Sequence, residues 1–206
     1  MMDLAQLFDK TVSKWDKFLA RLLGLFSEDI VRIWTQDSLC PYENLGRPTI
    51  VPPDMSKQFT PDFTLSLKSP QKTFVTEMKC WTEYDGYRFL NLAADKQLEK
   101  ISDAAFKLFL SMANHPEKFV VKVSQKQIDY DGIILIWSRA EPDVIESVKR
   151  TYGLYDVLTL ENIVNDLHRW NNQQYREFLD ERAAWCSYLF TGFVVRGKNW
   201  TESSGV

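Results

Sequence analysis

The segment FTPDFTLSLKSPQKTFVTEMKC, residues 59–80, is the stretch whose reading decides the fold. Side chains on a β-strand alternate between its two faces. From Asp62 onward, Asp62, Thr64, Ser66 and Lys68 fall on one face, while Phe63, Leu65 and Leu67 point the other way, the pattern of a half-buried strand. From Thr73 to Cys80 the two sets are Thr73, Val75, Glu77 and Lys79 against Phe74, Thr76, Met78 and Cys80. Lys68-Ser69-Pro70-Gln71 lies between them, with turn formers at its centre and a proline that a central ladder does not tolerate. A hairpin closed symmetrically there pairs Leu67 with Lys72 and Leu65 with Phe74, and sets Asp62 opposite Glu77, with Cβ atoms about 5 Å apart. Lys79 shares the face of Glu77.

Two carboxylates that close repel each other, so the pair requires a shared proton, a neighbouring cation or a metal ion. Lys79 supplies one positive charge. Oxygen ligands in small number suit Mg²⁺, with Mn²⁺ as its substitute, bound together with water and substrate phosphate. The structural alternative is an exposed hairpin whose Asp, Glu and Lys form an ordinary cross-strand charge cluster, worth a few tenths of a kcal/mol per pair.

Pro61-Asp62 followed by Glu77-Met78-Lys79 resembles the signature of the PD-(D/E)XK nuclease superfamily, to which many restriction endonucleases belong; the resemblance spans roughly residues 28–137. It implies an α/β fold with a restriction-endonuclease-like three-layer core: a mixed central sheet with a catalytic β-hairpin, flanked by helices, here with extra N- and C-terminal helices. It also implies a metal-dependent endonuclease that hydrolyses DNA phosphodiester bonds and leaves 5′-phosphate and 3′-hydroxyl ends. Carried over, Asp62, Glu77 and the backbone carbonyl of Met78 bind the metal, and Lys79 orients or activates water. Members often add an acidic residue from a helix before the sheet, for which Glu28 is the first candidate and Glu43 the second. A polar residue from the helix after the hairpin is also common, a role open to Lys96 or Gln97 as against a solvated helix face. Trp81, Tyr84, Tyr87 and Arg88 follow Lys79 and are candidate DNA contacts, by stacking, wedging or phosphate binding, or else aromatics covering a core edge. Cutting both strands of a duplex calls for two sites, so a homodimer is the economical arrangement. The alternatives are a non-catalytic nucleic-acid- or partner-binding domain on the same fold, and a repair, transposition or RNA-processing nuclease.

The other elements are read from periodicity and punctuation. A broad apolar stripe from Leu4 to Leu23 predicts a helix over 3–25 that Gly24 ends, and Ser27 is placed to cap a second helix from Glu28 to Thr35. The span 40–60, with four prolines, reads as mostly irregular, apart from a short strand over 48–51. Leu92 to Met112 is expected to form one helix, Phe119 to Val123 a strand, and the apolar run Gly132–Trp137 a parallel strand buried on both faces. Pro142 and Gly153 bracket a helix; a strand over 155–158 and helices over 159–170 and 174–190 follow.

These readings place all 206 residues in one nuclease domain, with N-terminal helices over 1–37, a catalytic core over 45–140, an α/β extension over 141–195 and a flexible tail over 196–206. The three cysteines, without CxxC spacing, read as reduced thiols, and the two histidines have no second ligand at metal spacing. No phosphate-loop or dinucleotide motif supports a nucleotide cofactor. No apolar run has membrane length and the N-terminus lacks a signal-peptide layout, so the expected location is the cytoplasm, with no membrane partner. The net charge of −3 offers no global attraction for nucleic acid, so any DNA contact must rely on local basic surface.

Overall fold

The computed structural model describes residues 17–52, 57–80 and 90–201. Its centre is a five-stranded mixed sheet. The strands are β1 (Tyr42–Gly46), β3 (Phe63–Lys68), β4 (Gln71–Lys79), β8 (Gly132–Trp137) and β10 (Asp156–Thr159), in the spatial order β1-β3-β4-β8-β10. β1, β3 and β4 pair antiparallel, whereas β4, β8 and β10 pair parallel. Parallel neighbours need crossover connections, and helices supply them. Helix α2 (Ala104–Asn114) lies in the β4–β8 connection and α3 (Pro142–Tyr152) in the β8–β10 connection. A second sheet joins β2 (Pro48–Val51) to the hairpin of β6 (Val120–Val123) and β7 (Lys126–Ile128), and a short parallel pair joins β5 (Asn91–Leu92) to β9 (Arg139–Ala140).

Both faces of the main sheet are buried, which gives three layers. On one face Phe63, Leu65, Phe74, Ile134 and Ile136 pack against α1 (Lys17–Gln36), α4 (Leu160–Arg169) and α5 (Gln173–Thr201) through residues such as Trp34, Leu167 and Tyr175. On the other, Val75, Ile133, Leu135 and Trp137 pack against Phe106, Phe109 and Met112 of α2 and Val148 of α3. β8 is thus an interior parallel strand covered on both sides, as its unbroken apolar run predicts.

The hairpin register is the one derived from the turn: Leu67 faces Lys72, Leu65 faces Phe74 and Phe63 faces Thr76. The loop is tighter than four residues, because Lys68 and Gln71 also pair, leaving Ser69-Pro70 as the turn, with a cis peptide bond. The polar face of the hairpin is not solvent-facing: Thr64 is fully buried and Ser66 nearly so.

Four expectations about elements are corrected. Gly24 does not end a helix and Ser27 does not cap one, since α1 runs unbroken through both, and the buried Ser27 hydroxyl donates back to the Leu23 carbonyl at 2.6 Å. Burial of Ile30, Val31, Ile33 and Trp34 along one side outweighs the roughly 1 kcal/mol cost of a helical glycine. The region 40–60 contains β1 as well as β2. The helix foreseen over Leu92–Met112 is a short strand, a 3₁₀ turn over Asp95–Lys100 and α2, which begins where the Asp103 carboxylate caps Ala105 N at 3.0 Å. Leu98, Ile101 and Met112 are buried nonetheless, so the apolar spacing marked the core correctly and the backbone incorrectly. Finally, α5 continues to Thr201, so 196–201 is helix; residues 202–206 lie outside the described residues, as do 1–16, which carry most of the N-terminal helix expectation. The distal part of α5 holds Trp185, Tyr188 and Phe193 exposed.

The bracketing of α3 by Pro142 and Gly153 holds to the residue, with Gly153 in the left-handed region at φ +70°. Thr159 caps α4 by accepting a hydrogen bond from Asn162 N. No helix among the described residues is long and apolar enough to cross a membrane. Cys40 and Cys80 are buried free thiols whose ionisation burial pushes up to about 12, while Cys186 is partly exposed. A native-state titration with an aromatic disulfide reagent at pH 8 should therefore modify about one thiol per chain quickly, with the other two reacting only after denaturant is added.

Candidate functional site

The site is built where β3 and β4 leave the hairpin ladder. Continuing the register by one step sets Asp62 opposite Glu77. Asp62 does more than face its neighbour: its Oδ2 accepts a hydrogen bond from Met78 N at 2.9 Å, so the carboxylate replaces the ladder partner that Met78 lacks. In an extended strand the N–H and C=O of one residue leave on the same lateral side, so the Met78 carbonyl is directed toward the Asp62 edge as well. Glu77 and Lys79 share a face, and Lys79 Nζ lies 2.7 Å from Glu77 Oε1. The Lys79 and Glu77 side chains are only 11% and 14% exposed, so this ion pair is shielded from water in a way a surface pair is not.

Two further residues join the cluster. Asp103, the cap of α2, places Oδ2 3.5 Å from Lys79 Nζ. Arg47, between β1 and β2, reaches across to Asp62 Oδ1 with Nη2 at 2.8 Å. The sequence carried a signal for Asp103, an Asp immediately before Ala-Ala-Phe, which is a helix-start pattern. Reading residues 92–112 as one helix places that Asp inside the helix and hides the start. Arg47 carried no such signal, because its place depends on how two sheets meet.

Burial beside negative neighbours controls the ionisation here. Glu77 is pushed up to about 7, first by desolvation and then by the charges of Asp62 and Asp103, against the opposing pull of Lys79. An acid whose folded value is raised binds its proton more tightly in the native state. Its contribution to stability is complete below the unfolded value of 4.5 and is lost as pH rises through about 7. Relative to Glu77→Gln, the wild-type chain should lose on the order of 3 kcal/mol of unfolding free energy between pH 4.5 and pH 8. Parallel pH dependences in urea titrations of the two proteins would refute this.

The remaining candidates are placed as follows. Glu28 pairs with Arg32 on α1 at 2.9 Å. Glu43 sits opposite Ser66, four residues and about 13 Å along β3 from Asp62, and lines a separate cleft of about 560 Å³ with Arg32 and Lys68. Neither is brought into the described ion-pair cluster. Lys96 and Gln97 lie on the 3₁₀ turn, not on α2. Lys96 is exposed there, and Gln97 bonds Ala93 N and Asn91 O. The turn is fastened to α3 through Asp95, which accepts hydrogen bonds from Ser147 and Thr151. Trp81, Tyr84, Tyr87 and Arg88 lie outside the described residues.

Among the described residues no three His, Cys, Asp or Glu side chains are grouped so as to hold a metal ion. What the cluster offers is two carboxylates facing each other, a backbone carbonyl directed to the same edge, and a glutamate whose proton affinity is raised by burial and by its acidic neighbours in spite of Lys79. That all-oxygen set fits a hard dication that retains several waters, such as Mg²⁺, better than Zn²⁺. Comparisons with family models, with curated proteins and with solved structures each return no match, so the geometry of Asp62, Glu77 and Lys79 is what any functional conclusion must rest on.

Proposed function

We propose that this chain is a Mg²⁺-dependent endonuclease of the PD-(D/E)XK type, acting on DNA through a restriction-endonuclease-like core. The observation that carries the reading is the convergence of Asp62, Glu77 and Lys79 at the end of one hairpin, with Met78 N–H bonded to the Asp62 carboxylate. The strand order, with an antiparallel hairpin whose second strand pairs parallel to a strand reached through α2, supports it.

Asp62, Glu77 and the Met78 carbonyl would hold the metal, which when bound supplies charge stabilisation at the scissile phosphate. The chain's own residues do the rest. Glu77 keeps Lys79 Nζ on the polar side of the hairpin, and Asp103 restrains it from the α2 side. The Phe106 ring, 5.4 Å from Nζ, closes the inner side. An ammonium so held can orient a water toward phosphorus and stabilise the charge that develops as the water loses its proton. Met78 N–H fixes Oδ2 of Asp62, which leaves Oδ1, held here by Arg47, as the oxygen a metal would take.

One observation favours a second reading, a non-catalytic nucleic-acid-binding domain on the same fold: both oxygens of Asp62 are already engaged, one by Arg47 and one by Met78. Incubation with supercoiled plasmid, single-stranded DNA and RNA in Mg²⁺, Mn²⁺ or EDTA separates the two. Cleavage of plasmid in Mg²⁺ that ceases in EDTA supports the nuclease, whereas retention of DNA in EDTA without cleavage in either metal supports the binding domain. Preferred cutting of single-stranded DNA or RNA would shift the proposal to a repair, transposition or RNA-processing role.

A further inference from the structure

Arg47 is the sole residue between a strand of the main sheet and a strand of the small one, and its position is built by a bulge. β1 and β3 are in register from Tyr42 to Asn44; the register then slips, so that Gly46, not Leu45, faces Thr64. Leu45 is the extra residue. Asn44 Oδ1 accepts the Gly46 N–H at 2.9 Å, and Gly46 has φ +111°, a conformation that side chains other than glycine's rarely adopt. Pro48 then starts β2 by pairing with Val123. Bulges re-aim the side chains that follow them. Here the side chain re-aimed is the guanidinium of Arg47, which touches Asp62 Oδ1 at 2.8 Å and the Pro61 carbonyl at 3.4 Å.

The burial on the two sides of this contact is unequal. Asp62 is 14% exposed and Arg47 54%, so the guanidinium covers the carboxylate from the solvent side and keeps donors free of it. A planar fork of five N–H groups matches phosphate as well as carboxylate. A dication arriving at Asp62 would meet a positive charge at hydrogen-bond distance from the same oxygen.

We propose that Arg47 is a phosphate-positioning residue: it caps Asp62 in the free protein and transfers to a backbone phosphate of the nucleic-acid substrate when a divalent cation takes the carboxylate. This rests on the metal-dependent nuclease reading above. The ordinary alternative is an exposed ion pair that contributes little and does not move.

The test compares wild type, Arg47→Ala, Arg47→Lys and Asp62→Asn in two binding measurements that need no turnover. Calorimetric titration with Mn²⁺ alone should show Arg47→Ala binding about threefold tighter than wild type, since a competing cation has been removed. Fluorescence anisotropy with a labelled duplex oligonucleotide in Ca²⁺ should show Arg47→Ala binding about tenfold weaker, with Arg47→Lys recovering part of the loss. If wild type binds Mn²⁺ in an Asp62-dependent way and Arg47→Ala leaves either affinity unchanged, or weakens Mn²⁺ binding, the role assigned to Arg47 is overturned while the nuclease reading stands. If neither wild type nor Arg47→Ala shows Mn²⁺ binding that Asp62→Asn removes, the metal-dependent reading fails and the proposal with it.

Discussion

Under the proposed function, Asp62→Asn is expected to lower Mg²⁺-dependent DNA cleavage by about 10³-fold or more, a loss of roughly 4 kcal/mol of transition-state stabilisation, while leaving the fold intact. The asparagine is chosen because it preserves what Asp62 does structurally. Its amide oxygen can still accept the Met78 N–H that Asp62 Oδ2 now holds at 2.9 Å, so the end of the hairpin stays closed. What disappears is a negative charge. Arg47 loses its ionic partner, a pair with one half-exposed member that contributes about 1 kcal/mol or less. Glu77, one of whose raising influences is the Asp62 charge, should titrate lower. The prediction is therefore three-sided: cleavage lost, melting temperature changed by no more than a few degrees, and the pH dependence of stability shifted downward. Measured together by plasmid nicking and by thermal scans across pH 5–8, they separate a missing ligand from a damaged structure. Full activity in the variant would remove Asp62 from the mechanism.

Phe74→Ala is expected to destabilise the chain by about 3–5 kcal/mol, which for a domain of this size corresponds to a fall in melting temperature of about 10–15 °C. Phe74 is fully buried in the middle of β4, opposite Leu65 on β3 and Gly132 on β8. Its ring stacks on Tyr155 with centroids 4.0 Å apart. A cavity at this point sits between strands whose backbones are held by ladders on both sides, so it cannot collapse readily. Chemical denaturation of the purified variant reads the effect directly. A loss under 1 kcal/mol would mean that this part of the sheet is looser than the structure shows. Because Phe74 is on the face opposite Glu77 and Lys79, a variant that remains folded at low temperature should keep whatever cleavage activity the wild type shows.

Much of the hairpin was legible in the sequence because its signals are local. Strict alternation from Asp62 to Lys68 and from Thr73 to Cys80 sets which residues share a face, and a proline turn between them allows few registers. The observed pairs Leu67–Lys72 and Leu65–Phe74 follow from that alone. The same holds for β8, where five apolar residues after a glycine leave no polar face to expose, and for α3, bracketed by Pro142 and Gly153. Elsewhere local signals misled. Gly24 reads as a stop, yet α1 passes through it because the residues beyond are buried against the sheet. The β6–β7 hairpin was not foreseen as such, because its turn places Ser124 and Gln125, rather than glycine or asparagine, at positive φ.

The sequence by itself determined which two carboxylates and which lysine stand together, because their phase and spacing along adjacent strands are set by a period of two and one turn. It could not determine the surroundings of that trio. Asp103 comes from more than 20 residues further along, at an interruption in what reads as one helix, and Arg47 comes from a bulge that joins two sheets. It could not show either that Asp103 and Phe106 of the α2 segment close over the Lys79 end of the hairpin, and this is the difference that matters chemically. On an exposed hairpin Glu77 would be an ordinary carboxylate; buried, and beside Asp62 and Asp103, it holds its proton to about pH 7. Desolvation and the summed field of residues distant in sequence are properties of the assembled layers, so only the tertiary structure could decide them.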